Sequence, residues 1–200
     1  MEEIVDRAKK GDNDAFVEII NMNRLSMYRV AKSYLKCDED VADVISEAII
    51  TAYEKISQLK ESKYFNTWLI RILINKCNYY IKKNKKYIYM EGAELENAVN
   101  DKKVYSEKNY AEEQFYALID DLPEKYKIVL ILYYGEEFSI KEISKILDLS
   151  ENTIKTRLKR ARDKISDRKS SNISGKGGAL YEKWVWWIWR IWKTRRTKSH

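Results

Sequence analysis

Residues that break helices are scarce in this chain. There is one proline, Pro123, and there are only six glycines among 200 residues. The stretches between them are rich in Lys, Glu, Ile and Leu, which are compatible with helices. No run of alternating β-branched residues bounded by turn residues indicates a strand. The sequence therefore predicts an all-α fold.

The charge balance makes a polyanion a plausible partner. Lys and Arg number 38 against 31 acidic residues, a net charge of +7. The two cysteines, Cys37 and Cys77, are too few for a disulfide framework and lack metal-binding spacing, so we expect two reduced thiols. Residues 1–10 do not resemble a signal peptide, and no stretch approaches the roughly 20 apolar residues of a membrane span. We expect a cytoplasmic protein with no metal and no cofactor.

Residues 1–90 predict a first domain made of helices. Residues 1–37 form two predicted helices joined around residues 11–14, where Asp12 or Asp14 can cap the second helix. Residues 64–83 form another predicted helix. Its expected buried face comprises Phe65, Trp68, Leu69, Ile72 and Leu73.

Residues 39–57 show the clearest helical period in the chain. A three-four spacing predicts one continuous buried face, formed by Val41, Val44, Ile45, Ala48, Ile49, Ala52, Tyr53 and Ile56. The opposite face, here called the acidic stripe, comprises Asp40, Asp43, Glu47, Ile50 and Glu54. Such a stripe is either a solvated surface or a docking surface for a basic partner, and Ile50 at its centre favours docking.

A lysine-rich run flanked by tyrosines follows at residues 82–86. Lysines can neutralise phosphates, and aromatic rings can stack on unpaired bases. The run is either the lysine-rich end of a helix with core tyrosines or a surface for single-stranded or melted DNA. The candidate DNA-binding residues here, called the lysine–tyrosine face, are Asn75, Tyr79, Lys82, Lys83, Lys85 and Lys86.

A polar, weakly periodic segment at residues 91–108 predicts a flexible linker, and residues 109–168 predict a second small helical domain. In this domain Ser139 and Glu142 have the spacing of a capping box, which starts a short helix. A turn at residues 148–150 leads into another helix. The two helices with so short a turn between them indicate a helix-turn-helix.

The second helix of this motif has a polar, basic outer face. At about 100° per residue, the side opposite its apolar residues presents groups able to bind bases and phosphates. This recognition face comprises Asn152, Thr153, Lys155, Thr156, Arg157, Lys159 and Arg160. The other interpretation is an ordinary basic surface helix, which the capping box and the turn make less favourable.

Taken together, these motifs resemble the extracytoplasmic-function (ECF) sigma factors, over roughly residues 4–168. The resemblance depends on short motifs in a fixed order across the linker. They are Gly11-Asp12 with Ala15-Phe16, residues 40–47, residues 65–69 with Arg71, Ile72 and Asn75, Leu122-Pro123, and residues 139–143 with residues 153–161.

The resemblance implies a role for each segment. It implies that Asp40, Asp43, Glu47 and Ile50 bind core RNA polymerase. It implies that residues 65–86 recognise and melt the minus-ten element of promoter DNA, with a flipped base near residues 57–66. The helix-turn-helix would bind the minus-thirty-five element, and an anti-sigma factor, often a membrane-bound one, would restrain the protein. Ser46 stands where the family usually has Gln, which puts part of the polymerase contact in doubt.

Residues 169–200 lie beyond the resemblance and form a basic, Trp-rich tail. Five tryptophans fall within residues 184–192. Three interpretations remain open, namely a frameshift, read-through or cloning artefact, an amphipathic anchor at a membrane surface, and a docking peptide for a partner.

Two other functional classes account for the sequence less well than a sigma factor does. A stand-alone helix-turn-helix regulator accounts for residues 109–168 and leaves the first ninety residues unexplained. An enzyme is disfavoured because the only histidine is His200 and the sequence has no nucleophile elbow, phosphate loop or metal-ligand cluster. We therefore expect a non-enzymatic transcription initiation factor.

Overall fold

The computed structural model describes the backbone of residues 1–91, 115–116 and 118–171, and the side chains of residues 1–84, 115–116 and 118–167. Within these ranges the regular elements are all helical and no residue lies in a strand. The prediction of an all-α fold is confirmed.

The α-helices are numbered here in chain order. They are α1 (Glu2–Lys9), α2 (Asn13–Lys32), α3 (Asp38–Lys55), α4 (Phe65–Glu91), α5 (Glu124–Leu130), α6 (Ile140–Leu147) and α7 (Glu151–Ser171). Short 3-10 turns at Ile56–Gln58 and Ser62–Tyr64 connect α3 to α4. A π-helical turn at Ile131–Gly135 follows α5.

The turn between α1 and α2 is fixed by local chemistry. Gly11 has φ +93, a conformation that favours glycine because it has no Cβ. Asp12, one of the two predicted caps, begins α2, because its Oδ1 accepts a hydrogen bond from the Ala15 amide at 3.0 Å. Its Oδ2 accepts from the Arg7 guanidinium at 2.6 Å. The hydrogen bonds from Ala15 and Arg7 lower the pKa of Asp12.

Contacts group the chain into two compact units, and the first consists of Met1–Ala98 together with Phe138–Glu151. In it α2 packs against α1, α3 and α4, and α3 packs against α4. The largest fully buried side chains of these helices are Ile19, Met27, Phe65, Leu69, Ile70 and Leu73. This apolar core holds the surfaces of α3 and α4 in place.

The predicted buried face of α3 is confirmed only in part, because Ile45 and Ile49 are half-buried and Tyr53 is exposed. Val41, Val44, Ala48 and Ala52 are buried, whereas Tyr53 is 53% exposed. Its ring packs edge-on against Phe16, and its hydroxyl donates a hydrogen bond to Asn13 Oδ1 at 2.9 Å. A tyrosine near a helix end can bury one edge of its ring and keep its hydroxyl at the surface, so the prediction of a buried Tyr53 was wrong.

Helix α4 is longer than the predicted helix at residues 64–83. It runs to Glu91, so the lysine-rich run lies on the helix. Phe65, Leu69 and Leu73 are buried as predicted, while Trp68 and Ile72 are only partly buried. The predicted linker, apart from its first residue, lies outside the described residues.

Helix α6 begins with the predicted capping box. The Glu142 amide donates to Ser139 Oγ, and Glu142 Oε2 accepts from the Ser139 amide at 2.8 Å. The helix ends at Leu147, and the next residue, Asp148, caps it with a left-handed backbone conformation, φ 53. Contacts place α6 in the first unit, where it packs against α4. The domain boundaries drawn from the sequence stay predictions.

The second unit consists of Val99–Glu137 and Asn152–His200, and its described core comes from α5, the π-helical turn and α7. The fully buried apolar side chains of the first two are Val129, Leu130, Ile131 and Leu132. The π-helical turn ends at Gly135. Two residues later, Glu137 has a left-handed backbone conformation with φ 57.

Neither cysteine forms a disulfide among the described residues, in agreement with the prediction of reduced thiols. Cys37 is exposed at the start of α3, and Cys77 is buried in α4. Within the described part of the chain, no helix is long and apolar enough to cross a bilayer.

Candidate functional site

The recognition face lies on the solvent side of α7. Ile154, Leu158, Ala161 and Ile165 are all buried along one side of the helix. They fix its rotation about its axis, because a helix with one continuous buried stripe has one way to pack. Five members of the recognition face are exposed and two, Thr153 and Arg157, are partly buried. The predicted orientation of this helix is confirmed, and its contact with DNA stays a prediction.

The hydroxyl of Thr156 has a defined hydrogen-bonding role. It donates to the carbonyl oxygen of Asn152, one turn earlier, at 2.8 Å. Since a hydroxyl has one donor and two acceptor lone pairs, the bond leaves Thr156 as an acceptor toward solvent. It is therefore suited to a donor group, such as a base amino group or a water molecule.

A hollow of about 390 Å³ opens beside the recognition face. Its lining includes Lys125 and Tyr126 of α5, and these two residues were not among the sequence-derived candidates. The other lining residues are Asn152, Thr153, Thr156, Arg157 and Arg160. Three of the seven side chains are cationic and none is acidic. A concave surface of this charge favours a phosphate group.

Tyr126 forms the buried wall of this hollow. The Lys125 Nζ lies 5.2 Å from its ring centroid and the Lys164 Nζ lies 6.0 Å from it. Cations over an aromatic face are attracted to its quadrupole, so the ring holds both ammonium groups near the hollow. The only sequence signal was the position of Lys125, two residues after the Leu122-Pro123 motif.

The lysine–tyrosine face is exposed along α4. Asn75, Lys82 and Lys83 are exposed, and Tyr79 is 62% exposed. At about 100° per residue, these four positions fall within about 100° of one another around the helix. They form one surface that combines lysines with an aromatic ring. The side chains of Lys85 and Lys86 lie outside the described residues.

The acidic stripe lies on α3, and it has partners on α4. Asp43 and Glu47 are exposed, and Ile50 is 59% exposed, as expected for a surface that a partner could cover. Lys76 Nζ lies 3.4 Å from Glu47 Oε2. The stripe therefore faces solvent while a residue of α4 neutralises part of its charge.

Asp40 is the most enclosed of the predicted polymerase-binding residues. It is partly buried and accepts a hydrogen bond from the Tyr80 hydroxyl. That bond raises the pKa of Tyr80. Tyr80 therefore points toward α3, whereas Tyr79 points to solvent. The acidic stripe and the lysine–tyrosine face are neighbouring surfaces of one unit.

No cluster of three or more His, Cys, Asp or Glu side chains suited to a metal ion occurs among the described residues.

Two family models match the chain. Residues 19–87 match the model described as "Sigma-70 region 2", and residues 112–165 match "Sigma-70, region 4". The first match covers the acidic stripe and the lysine–tyrosine face. The second covers the recognition face and the hollow.

Curated relatives align over most of their length. The ECF RNA polymerase sigma factor SigW of Bacillus subtilis (strain 168) is 30% identical over 172 residues, which covers 80% of this chain and 92% of that protein. RNA polymerase sigma factor SigV of the same organism is 28% identical over 155 residues, which covers 78% of this chain and 91% of that protein. The ECF RNA polymerase sigma-E factor of Escherichia coli (strain K12) is 27% identical over 176 residues, covering 82% and 92%.

Solved structures share the fold. The sigma factor RpoE from Bartonella quintana, solved with the anti-sigma factor NepR, has a TM-score of 0.65 at 18% identity and covers 78% of this chain and 98% of its own. CnrH, solved with the cytosolic domain of CnrY, has a TM-score of 0.61 at 20% identity. The match covers 86% of this chain and 97% of the CnrH chain.

Proposed function

The chain belongs to the sigma-70 family of RNA polymerase sigma factors and is of the ECF type, and from this premise we propose how its surfaces bind polymerase and promoter DNA. As a sigma factor it binds core RNA polymerase and directs it to specific promoters. The residue-level proposal is supported by one observation: acidic and basic side chains lie on different surfaces. One face of the first unit is acidic and another is basic and aromatic, and the second unit carries a basic hollow.

We assign polymerase binding to the acidic stripe, through Asp40, Asp43, Glu47 and Ile50. Exposed carboxylates around an exposed isoleucine have the composition of an interface, with an apolar centre and a polar rim. Charge complementarity with a basic partner would speed association and fix orientation. Ser46, which stands where the family has Gln, bonds to the Ala42 carbonyl of its own helix at 2.8 Å. We therefore give Ser46 no role in the contact.

We assign melted minus-ten DNA to the lysine–tyrosine face, with a flipped base near residues 57–66. Tyr79 offers an exposed ring on which an unpaired base can stack, and Lys82 and Lys83 offer charge to the adjacent phosphates. Stacking and phosphate contacts together offset the cost of unstacking a base. Lysine lacks the bidentate geometry of arginine, so this face would hold a strand without reading much of its sequence.

We assign the minus-thirty-five element to the recognition face, where Arg157 and Arg160 are the candidates for bidentate contacts to guanine in the major groove. Lys125 adds a phosphate contact from α5. We also propose an anti-sigma factor as a regulatory partner, because restraint by such a protein is expected for an ECF factor.

Co-elution with core RNA polymerase tests the first of these assignments. The purified chain is run on a size-exclusion column by itself and after mixing with core polymerase. The mixture is then run again at increasing salt concentrations. We expect one complex that weakens as salt rises, because exposed charges are screened. Separate elution at low salt would contradict polymerase binding and would favour the stand-alone regulator.

A further inference from the structure

Helix α1 lies against the connection between α3 and α4, residues 56–64. This connection consists of the two 3-10 turns and of residues 59–61 between them, which have no regular structure. Ile56 and Leu59 are buried and anchor the connection to the core. Its exposed polar residues, which are able to bond a base edge or a phosphate, are Ser57, Gln58, Lys60, Glu61 and Lys63.

Two side chains of α1 hold the irregular stretch of this connection. Asp6 Oδ1 accepts a hydrogen bond from the Ser62 hydroxyl. Lys9 Nζ donates to the carbonyl oxygen of Lys60 at 3.5 Å. The bond to the carboxylate is charge-assisted and is the stronger of the two, because the bond from Lys9 is long. Residues 60–62 are thereby tied to α1 at two points.

The position of α1 is itself well fixed. Val5 and Ala8 are buried, and the helix packs against α2. Asp6 and Lys9 are three residues apart and therefore neighbours on the helix surface, with 4.0 Å between Lys9 Nζ and Asp6 Oδ1. Helix α1 lies outside the residues that match the two family models, 19–87 and 112–165. Its bonds to the connection are therefore no part of what those models describe.

We propose that Asp6 and Lys9 are positioning residues for the flipped minus-ten base, which hold residues 60–62 in the conformation that receives it and do not touch DNA themselves. This inference rests on the proposed function, which places a flipped base near residues 57–66. A flipped base is selected by groups that are already in place, and a loosely held connection could adapt to any base. Loss of the ties should therefore lower discrimination between bases at the flipped position, and it should leave polymerase binding and the minus-thirty-five preference unchanged.

Variants at both ends of the stronger bond test this role in the full chain. Run-off transcription by the holoenzyme is compared among promoters that carry each of the four bases at every minus-ten position. Asp6→Ala and Ser62→Ala should each lower the ratio of preferred to other bases at the flipped position by about twofold to tenfold, the range that one hydrogen bond corresponds to. The double variant should lose no more than either single variant, because all three lack the same bond.

Conservative and control variants separate positioning from a general loss of structure. Asp6→Asn should restore most of the discrimination, because its amide oxygen can still accept from Ser62. Lys9→Ala should have the same direction of effect as Asp6→Ala and a smaller size. Glu3→Ala is the matched control, since it removes another exposed carboxylate from α1.

A merely structural role of Asp6 would lower transcription from all promoters alike and leave the ratio unchanged, and that result would overturn the inference. Equal changes of the ratio in Glu3→Ala and Asp6→Ala would also overturn it. Hydrogen exchange of the free chain tests the ties without polymerase. The amides of Leu59 and Tyr64, which bond to the carbonyls of Ile56 and Glu61 at 3.1 Å, should exchange faster in Asp6→Ala, and unchanged exchange at both would contradict the ties. Failure of the unmodified chain to initiate, or to prefer any base in the minus-ten element, would instead contradict the proposed function.

Discussion

The hydroxyl of Tyr80 on α4 donates a hydrogen bond to Asp40 on α3, forty residues earlier in the chain. This bond joins the helix that carries the acidic stripe to the helix that carries the lysine–tyrosine face. Lys76 and Glu47 make a second link between the same two helices, at 3.4 Å. The acidic stripe and the lysine–tyrosine face are therefore held at a fixed spacing.

Tyr80→Phe should weaken this link without disturbing the core. The change removes the hydroxyl and keeps the ring, so we expect a loss of about 0.5–1.5 kcal/mol in the free energy of unfolding, measured with urea. Tyr79→Phe is the matched control, because it removes the same hydroxyl from a tyrosine that is 62% exposed on the solvent side of α4. Equal losses in the two variants would contradict the role of Tyr80.

The same bond has a pH dependence whose direction follows from the pKa. The folded-state pKa of Tyr80 is raised, so the stabilisation is complete below the unfolded pKa near 10 and is lost as pH rises through the higher folded pKa.

The pH dependence of the stabilisation by Asp12 has the opposite direction. Its folded pKa is lowered, so its stabilisation is present above about 4 and is lost as pH falls through the folded value.

Asp12→Asn tests the acid side of that argument. Asparagine can still cap α2, but it cannot be titrated and does not attract Arg7 as a carboxylate does. Urea unfolding at a series of pH values should show the unmodified chain losing stability below about pH 4 more steeply than the variant. Parallel curves for the two proteins would remove Asp12 from the acid transition.

Asp43→Lys combined with Glu47→Lys should abolish polymerase binding. The double change reverses the charge of the acidic stripe at two exposed positions, so a basic partner surface would be repelled. Co-elution with core polymerase measures the loss, and the circular dichroism spectrum checks that the helices remain. Lys76→Ala is the control, because it removes the partner of Glu47 but keeps the carboxylate. If the double variant still bound well, the stripe would be a solvated surface.

Arg160→Ala should weaken promoter-directed transcription. A base-contacting arginine contributes about 1–3 kcal/mol of discrimination, so the variant should lose activity and tolerate more changes in the minus-thirty-five element. Arg162→Ala is the control from the same helix, since the Arg162 Nε bonds to the Leu158 carbonyl at 3.2 Å, next to the buried stripe. Unchanged activity and selectivity in Arg160→Ala would remove this residue from the recognition face.

Lys125→Ala should weaken DNA binding by the holoenzyme equally for all promoters, because a phosphate contact carries no sequence information. The slope of log affinity against log salt should become shallower by about 1. Lys127→Ala is a close control, since Lys127 already pairs with Asp120 at 3.1 Å. A salt slope that is unchanged in Lys125→Ala, or changed equally in both variants, would exclude a phosphate contact at Lys125.

Local features of the fold were predictable because short-range chemistry determines them. The capping box of Ser139 and Glu142 and the cap at Asp12 follow from spacing within a few residues. The buried stripe of α7 follows from a helical period. The resemblance to a family added the roles of these segments, which no spacing alone implied.

Features that depend on contacts between distant residues could not be predicted in this way. Lys125 enters the candidate site only because α5 lies beside α7 in the folded chain. Tyr53 satisfied the helical period of α3, but its surroundings on α2 decide its exposure. Tyr79 and Tyr80 are adjacent in sequence, and only the position of α3 shows which one faces solvent. The positive φ at Glu137 likewise had no residue-type signal, whereas Asp148 is of a residue type that adopts the left-handed conformation more readily than most.

Run-off transcription with purified core polymerase, the full chain and a library of genomic promoter fragments tests the central claim most directly. The starts are mapped by sequencing, and the Asp43→Lys, Glu47→Lys variant serves as the negative control. We predict initiation by the unmodified chain from promoters that share two sequence elements, and none by the variant. No initiation above core polymerase alone, with the chain and polymerase eluting separately, would contradict the assignment of polymerase and promoter binding to this chain.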